Sequence, residues 1–233
     1  MFPGEQGEVP VLQNLFLTCE QGDFVSIVGK SGCGKTTLLR CIAGLEEASS
    51  GQVLVEGNVV RGPDYNRAMV FQEARLFPWL TVEKNVAFGI HGRRPAQEVR
   101  TMVDAQLRLI GLEAYRQAYP HTLSNGMAQR VSLARALAFE ARVLLMDEPF
   151  SALDTQTRSK LQEDLLVLWQ QTAATILLVT HDIQEALLLS RQVFVMKTAP
   201  GNLVEKITVD WPYPRDPDDP RLIALRKDIA GRL

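Results

Sequence analysis

Phe24-Val25-Ser26-Ile27-Val28-Gly29-Lys30-Ser31-Gly32-Cys33-Gly34-Lys35-Thr36-Thr37 is the stretch that decides the fold. Phe24 to Val28 is apolar except for Ser26 and reads as a buried strand. Gly29 to Thr36 matches the glycine-rich phosphate loop at every required position, with a strand before it and a helix after it. From Lys35 to Ala43 the apolar spacing becomes helical, and Gly44 is the expected stop. Glycines let such a loop curl so that successive N–H groups face phosphate oxygens, and the helix N-terminus adds partial positive charge there. The candidate phosphate-binding residues are therefore Gly29, Lys30, Ser31, Gly32, Cys33, Gly34, Lys35, Thr36 and Thr37. Lys35 is expected on the β- and γ-phosphates and the Thr36 hydroxyl on Mg²⁺. The pattern specifies nucleotide binding without specifying a reaction, since kinases and GTPases carry it too.

Outward from the loop, strands and helices alternate, which predicts an α/β fold with a mostly parallel sheet. An antiparallel β part precedes the loop, with turn chemistry at Pro3 to Gly7 and a strand expected from Val11 to Thr18. Short strands are expected at Gln52 to Glu56 and Arg67 to Phe71. Between about Thr81 and Ala138 helical periodicity takes over, which predicts a helical subdomain at about 75–140 inserted in one domain spanning 1–233. The core resumes with a strand at Val143 to Asp147, a helix at Thr155 to Gln171 and a strand at Thr175 to Thr180. A helix at Ile183 to Leu189 and strands at Val193 to Met196 and Leu203 to Val209 follow. Residues 211–233 read as an extended, proline-rich linker and a terminal helix whose apolar face is Leu222, Leu225 and Ile229.

Val143-Leu144-Leu145-Met146-Asp147-Glu148 is an apolar strand ending in two carboxylates. Asp147 can hold Mg²⁺, and Glu148 beside it can polarise an attacking water. Leu123-Ser124-Asn125-Gly126-Met127, followed by Ala128 to Leu137, is a second helix N-terminus, with Ser124 as its cap. This stretch resembles the signature motif of ABC ATPases, usually Leu-Ser-Gly-Gly-Gln. Gln72, after a strand, is similar to that family's Q-loop glutamine. Ser151-Ala152-Leu153-Asp154 is similar to its D-loop, and His181 to its switch histidine. The motifs stand in the family's order, and the resemblance covers nearly the whole chain.

The resemblance implies an ABC ATPase that binds ATP and Mg²⁺ in a head-to-tail dimer. It implies Glu148, His181, Gln72 and Lys35 as catalytic residues and Thr36, Gln72 and Asp147 around Mg²⁺. Ser124, Asn125, Gly126, Met127 and Asp154 are implied at the ATP bound by the second subunit, and Phe2 as the aromatic that stacks on adenine. Asn125 replaces the first signature glycine and Met127 the usual glutamine. Asparagine tolerates left-handed backbone, so the signature loop is expected to keep its shape and to tune the ATPase rate without abolishing it.

Arg75-Leu76-Phe77-Pro78-Trp79-Leu80-Thr81-Val82 follows Gln72, on the surface that in ABC importers receives the permease. Phe77-Pro78-Trp79, Asn85-Val86-Ala87-Phe88-Gly89, Gly62-Pro63-Asp64, and the tail Pro200-Gly201 with Trp211-Pro212-Tyr213-Pro214-Arg215 resemble the nitrate/sulfonate/taurine importer group. That implies transmembrane permease partners, an extracytoplasmic solute-binding protein in the same system, and a place on the cytoplasmic face of the membrane. Tandem ATPase domains or a long coiled-coil insertion, the marks of non-transport ABC ATPases in translation or DNA repair, are not apparent. A P-loop kinase has no need of a signature helix. A regulatory subunit with a dead site fits poorly with Glu148 and His181 in place.

Composition agrees with this frame. The 233 residues are 46% hydrophobic and 22% charged with a formal net charge of −2, so no global basic field points to nucleic acid. Cys19, Cys33 and Cys41 form an odd, sparse set of the cytosolic pattern. Cys33 lies inside the phosphate loop, where a reactive thiol is one expectation and a small residue that simply fits is the plainer reading. No apolar run approaches the ~20 residues that span a bilayer.

Overall fold

The computed structural model of the chain describes residues 2–4, 7–172, 174–197 and 202–233, and the side chains of 2–9 and 202–204 lie outside that description. In chain order the elements are β1 (Phe2–Gly4), β2 (Gly7–Val9), β3 (Phe24–Gly29), α1 (Lys35–Ala43), β4 (Leu54–Val55), β5 (Asn58–Val59) and β6 (Arg67–Val70). Then come α2 (Val82–Ala87), α3 (Ala96–Leu109), α4 (Asn125–Ala138), β7 (Val143–Asp147), α5 (Thr155–Gln171) and β8 (Thr175–Thr180). The chain closes with α6 (Ile183–Leu189), β9 (Gln192–Lys197), β10 (Asn202–Thr208) and α7 (Pro220–Arg232). Two compact units result, residues 1–67 with 175–233, and residues 68–174.

In the first unit β3 lies between β8 and β9 and runs parallel to both, with Val28 opposite Thr180 on one side and Val195 on the other. β10 pairs antiparallel with β9. β3 and β8 are buried along their whole length, which is the demand placed on parallel strands covered on both faces. α6 and α7 supply part of that cover through Ala186, Leu187, Leu222 and Ile229, which cluster with Val28, Val193 and Val195. β4 and β5 form a hairpin across Glu56 and Gly57, at φ 51° and 77°, the paired positive φ of a two-residue type I′ turn. α1 ends at Gly44, φ 77°, where a side-chain Cβ would fall 2.2 Å from the Gly62 carbonyl oxygen.

One expectation is corrected here. Residues 11–18 do not form a strand: Leu12 makes an isolated bridge, and Asn14 at φ 50° turns the chain out of the extended path. Burial still alternates along Leu15, Phe16, Leu17 and Thr18, so the pattern is strand-like but the hydrogen-bonded ladder is missing. Residues 211–219 lack regular structure, and side chains tie the segment to the first unit. The Arg215 guanidinium donates to the carbonyls of Leu187 (2.5 Å), Ser190 (2.7 Å), Val209 (2.8 Å) and Trp211 (3.3 Å), and the Tyr213 hydroxyl donates to Leu189 O at 2.9 Å. The terminal helix forms as expected, with Leu222 and Ile229 fully buried. Pro200 and Gly201 lie outside the described residues.

In the second unit β6 lies beside β7, and no strand intervenes between them in the sequence among the described residues. α4 packs against α2 and α3. It is buried on most of its circumference, as a central helix must be when neighbours cover it on several sides. α2 is capped by Thr81, whose hydroxyl accepts from Lys84 N. α5 turns Leu161, Leu165 and Trp169 to the interior at helical spacing.

Candidate nucleotide site

The phosphate loop is built by a strand that ends in a place only glycine can occupy. A Cβ on Gly29 would lie 2.6 Å from Met196 O and 2.7 Å from Cys33 Sγ. The chain then turns through Gly32 at φ 81° and Gly34 at φ 98°, and Gly34 caps α1 without help from a side chain. Cys33 N donates back to Lys30 O at 3.3 Å, closing the turn. Lys35 begins α1, is 6% exposed, and folds its ammonium over the loop to Gly29 O at 2.7 Å and Lys30 O at 3.1 Å. Thr36 and Thr37 follow on the first turn, half-buried. Cys33 is 1% exposed against Gly29, so it is the small residue that fits and not an accessible thiol.

His181 belongs to the same unit. It follows Thr180, the last residue of β8, and Thr180 pairs with Val28 in β3. His181 and Gly29 therefore leave the sheet at the same carboxyl edge, where open parallel sheets place their ligand sites. Asp182 behind it accepts from Gln184 N and Glu185 N and starts α6. The Phe2 backbone lies in β1, and its side chain is outside the described residues.

The second unit gathers the carboxylates and the signature segment. β7 is buried through Asp147, which is 3% exposed, and the next residue, Glu148, is half-buried at φ 45°. A non-glycine residue in the left-handed region costs about 1 kcal/mol or more, a cost that recurs where a side chain must be aimed. Gln72 Nε2 stands 3.5 Å from Glu148 Oε2. Ser124 caps α4, its hydroxyl accepting from Met127 N at 3.3 Å. Asn125 is the first residue of that helix and has no positive φ, so the expectation of a left-handed loop held by asparagine is corrected. An ordinary helical position needs no glycine. Gly126 packs close to the D-loop, where a Cβ would sit 3.1 Å from Ala152 O. Asp154 caps α5 by accepting from Thr157 N at 3.0 Å, and that bond holds its carboxyl below its ordinary pKa.

The aromatics after Gln72 divide. Phe77 is half-buried, with ring centroids 4.2 Å from Phe88 and 5.7 Å from Trp79, whereas Trp79 is 71% exposed. Three polar residues in this unit lie within quoted motifs but were assigned no role from the sequence, namely Asn85, Gln129 and Arg135. Asn85 is fully buried, accepts from Phe77 N at 2.9 Å and donates to Phe77 O, Leu80 O and Thr81 O. Gln129 donates to Phe71 O at 2.9 Å, and Arg135 donates to Ala74 O and Arg75 O. Burial lowers the Arg135 pKa from its ordinary value. The one signal available beforehand was a polar residue on a helix face otherwise spaced for burial.

Comparisons with known proteins show the family. A model of the ABC transporter family matches residues 12–151. The aliphatic sulfonates import ATP-binding protein SsuB of Bacillus cereus is 42% identical over 232 residues, covering 100% of this chain and 92% of that protein. The nitrate import ATP-binding protein NrtD of Synechocystis sp. is 42% identical over 229 residues, covering 98% and 86%. Among solved structures, a dimeric post-hydrolysis state of the ATP-binding cassette MJ0796 bound to ADP and Pi matches with a TM-score of 0.77 at 30% identity. It covers 87% of this chain and 92% of that one.

Proposed function

The chain belongs to the ABC transporter family as an ATP-binding, ATP-hydrolysing importer subunit, and from that premise we propose that it powers uptake of a small anion of the sulfonate or nitrate kind. Two relatives that match almost end to end are import ATP-binding proteins for those two classes, which supports the substrate assignment. The working form is a head-to-tail dimer with a permease and an extracytoplasmic solute-binding protein, docked on the cytoplasmic face of the membrane. Residues 75–140 serve as the helical subdomain, and the permease meets it at Arg75 to Val82, where exposed Trp79 suits a protein interface.

Each residue has a definite task in this reading. The N–H groups of the loop from Gly29 to Thr37 and the Lys35 ammonium bind the phosphates, and Phe2 stacks on adenine. Glu148 accepts a proton from the attacking water as its oxygen bonds to the γ-phosphorus and ADP leaves. Gln72 orients that water, and His181 holds the γ-phosphate. Ser124, Asn125, Gly126 and Met127 of a second copy close over the same phosphate, and Asp154 crosses the interface.

Mg²⁺ fits the donors available, since a threonine hydroxyl, a glutamine carbonyl and a carboxylate are the hard oxygen ligands it takes. Thr36, Gln72 and Asp147 are the residues that would hold it. When bound, the ion offsets charge that builds on the phosphate oxygens.

The observation that carries the reading is Glu148 in its left-handed backbone, beside Gln72, at the end of a buried apolar strand. The test is Mg-ATP hydrolysis by the purified chain and its Glu148→Gln variant, with size exclusion to follow dimerisation. Turnover in the parent is expected to fall at least about a hundredfold in the variant, which accumulates as an ATP-bound dimer. Full turnover in the variant removes Glu148 from the role of base. A parent that binds ATP without turnover favours a regulatory subunit.

A further inference from the structure

α4 is capped by Ser124 and also supports the segment around Gln72 from two sides. Gln129, 2% exposed, donates Nε2 to Phe71 O, immediately before Gln72. One turn and a half further along the same helix, Arg135 donates Nη2 to Ala74 O at 3.3 Å and Nη1 to Arg75 O at 3.1 Å, shortly after Gln72. The Arg135 guanidinium also lies 5.5 Å over the Phe77 ring, and Arg75 lies 4.3 Å over Phe71. Beyond these contacts Asn85 takes up both backbone groups of Phe77. All of these bonds go to main-chain atoms, so they fix the path of the loop whatever its side chains do.

We propose that Gln129 and Arg135 are positioning residues that lock the Gln72 loop to the signature helix, so that Ser124 and Gln72 shift as one body. The inference rests on the role assigned above to Gln72. A helix that carries the Ser124 cap at one end and grips the loop along its length has no freedom to move its N-terminus without carrying Gln72 and the Phe77–Trp79 surface with it. Contact with nucleotide at Ser124 is thereby tied to the geometry around Glu148 and to the aromatic surface in the same unit. Coupling of this kind needs an element with discrete positions, and a rigid helix strapped to a loop is one.

The test is a double-mutant cycle on the full chain, with Gln129→Met, Arg135→Met, Gln72→Ala and the two doubles, read by kcat and KM for Mg-ATP and by backbone hydrogen exchange. Methionine keeps the bulk of glutamine and removes the donor, so Gln129→Met carries the cycle if Arg135→Met does not fold. Each single variant is expected to lose roughly tenfold in kcat, in line with the cost of small displacements of positioning groups. KM should stay within about twofold, since the phosphate loop is untouched. Exchange should quicken at Glu73 to Leu76 while α1 keeps its protection. In the Gln72→Ala background the same substitutions should cost nothing further, because residues acting through one group are non-additive. Equal losses in both backgrounds, or unchanged exchange at Glu73 to Leu76, overturn the proposal. A parent chain without ATP turnover overturns the functional reading itself, and that outcome is distinct from an additive cycle in an active parent.

Discussion

Ser151 grips the carbonyl of Glu148 twice, its hydroxyl donating at 2.9 Å and its amide at 3.2 Å. The two bonds hold a glutamate at φ 45°, a conformation that its own side chain disfavours. Ser151→Ala keeps the amide bond and loses the hydroxyl. One ordinary hydrogen bond is worth about 1 kcal/mol, so kcat for Mg-ATP should fall roughly fivefold with KM unchanged. A variant with parental kcat shows that the turn needs no hydroxyl to aim the carboxylate.

Asn125 stands at the first position of α4 in helical conformation. Asn125→Gly, which restores the residue usual in the family, gains no backbone freedom that the site requires. Turnover should stay within about twofold of the parent, while urea unfolding should show a loss of up to about 0.5 kcal/mol from the added flexibility. A severalfold rise in turnover would mean that the asparagine side chain itself restrains the site.

Asp154 caps α5 through Thr157 N, and this bond depresses its carboxyl pKa in the folded chain. A carboxyl that is more acidic when folded binds fewer protons in the folded state over that interval, so stability rises with pH through it. The cap contribution is complete above the ordinary carboxylate pKa and is lost as pH falls through the depressed folded value. The Tm deficit of Asp154→Ala should therefore be constant from neutral pH down to about pH 4 and shrink below it. Asp154→Asn, which caps without charge, should track the parent at neutral pH with less pH dependence. A deficit that does not change with acidification argues against the carboxylate as the capping group.

Arg215 satisfies four main-chain carbonyls at once, and burial lowers its pKa from the ordinary value. Arg215→Ala leaves carbonyls of Leu187 and Ser190 without this donor, at a cost of about 3 kcal/mol. Arg215→Lys should recover less than half, because an ammonium cannot reproduce the planar fork. Chemical denaturation of both variants checks this, and a lysine variant as stable as the parent would reduce the contact to simple charge.

The sequence revealed most where one residue type had to satisfy several constraints together. β3, the phosphate loop and α1 were readable because a buried strand, a run of glycines and a helical period meet within a few residues, and Gly44 ends α1 where no Cβ fits. α5, β8 and α6 appear with the bounds expected, and Asp154 and Asp182 cap the two helices. Residues 11–18 misled, because alternation shows which side chains face inward but not whether a neighbouring strand supplies the ladder. The grips of Gln129, Arg135 and Arg215 were not legible, since each joins a side chain to carbonyls distant in sequence, and a carbonyl looks the same at every residue.

β3 pairs with β8 and β9, and both come from the last third of the chain. On the ribosome β3 emerges before its partners, which are translated only after the whole of residues 68–174 has followed. The strand that carries the phosphate loop therefore waits through the synthesis of that unit with apolar side chains exposed and both edges open, the condition in which strands recruit wrong partners. The second unit, continuous in sequence, can assemble during that wait. The sheet around β3 is thus closed only once β9 has been made.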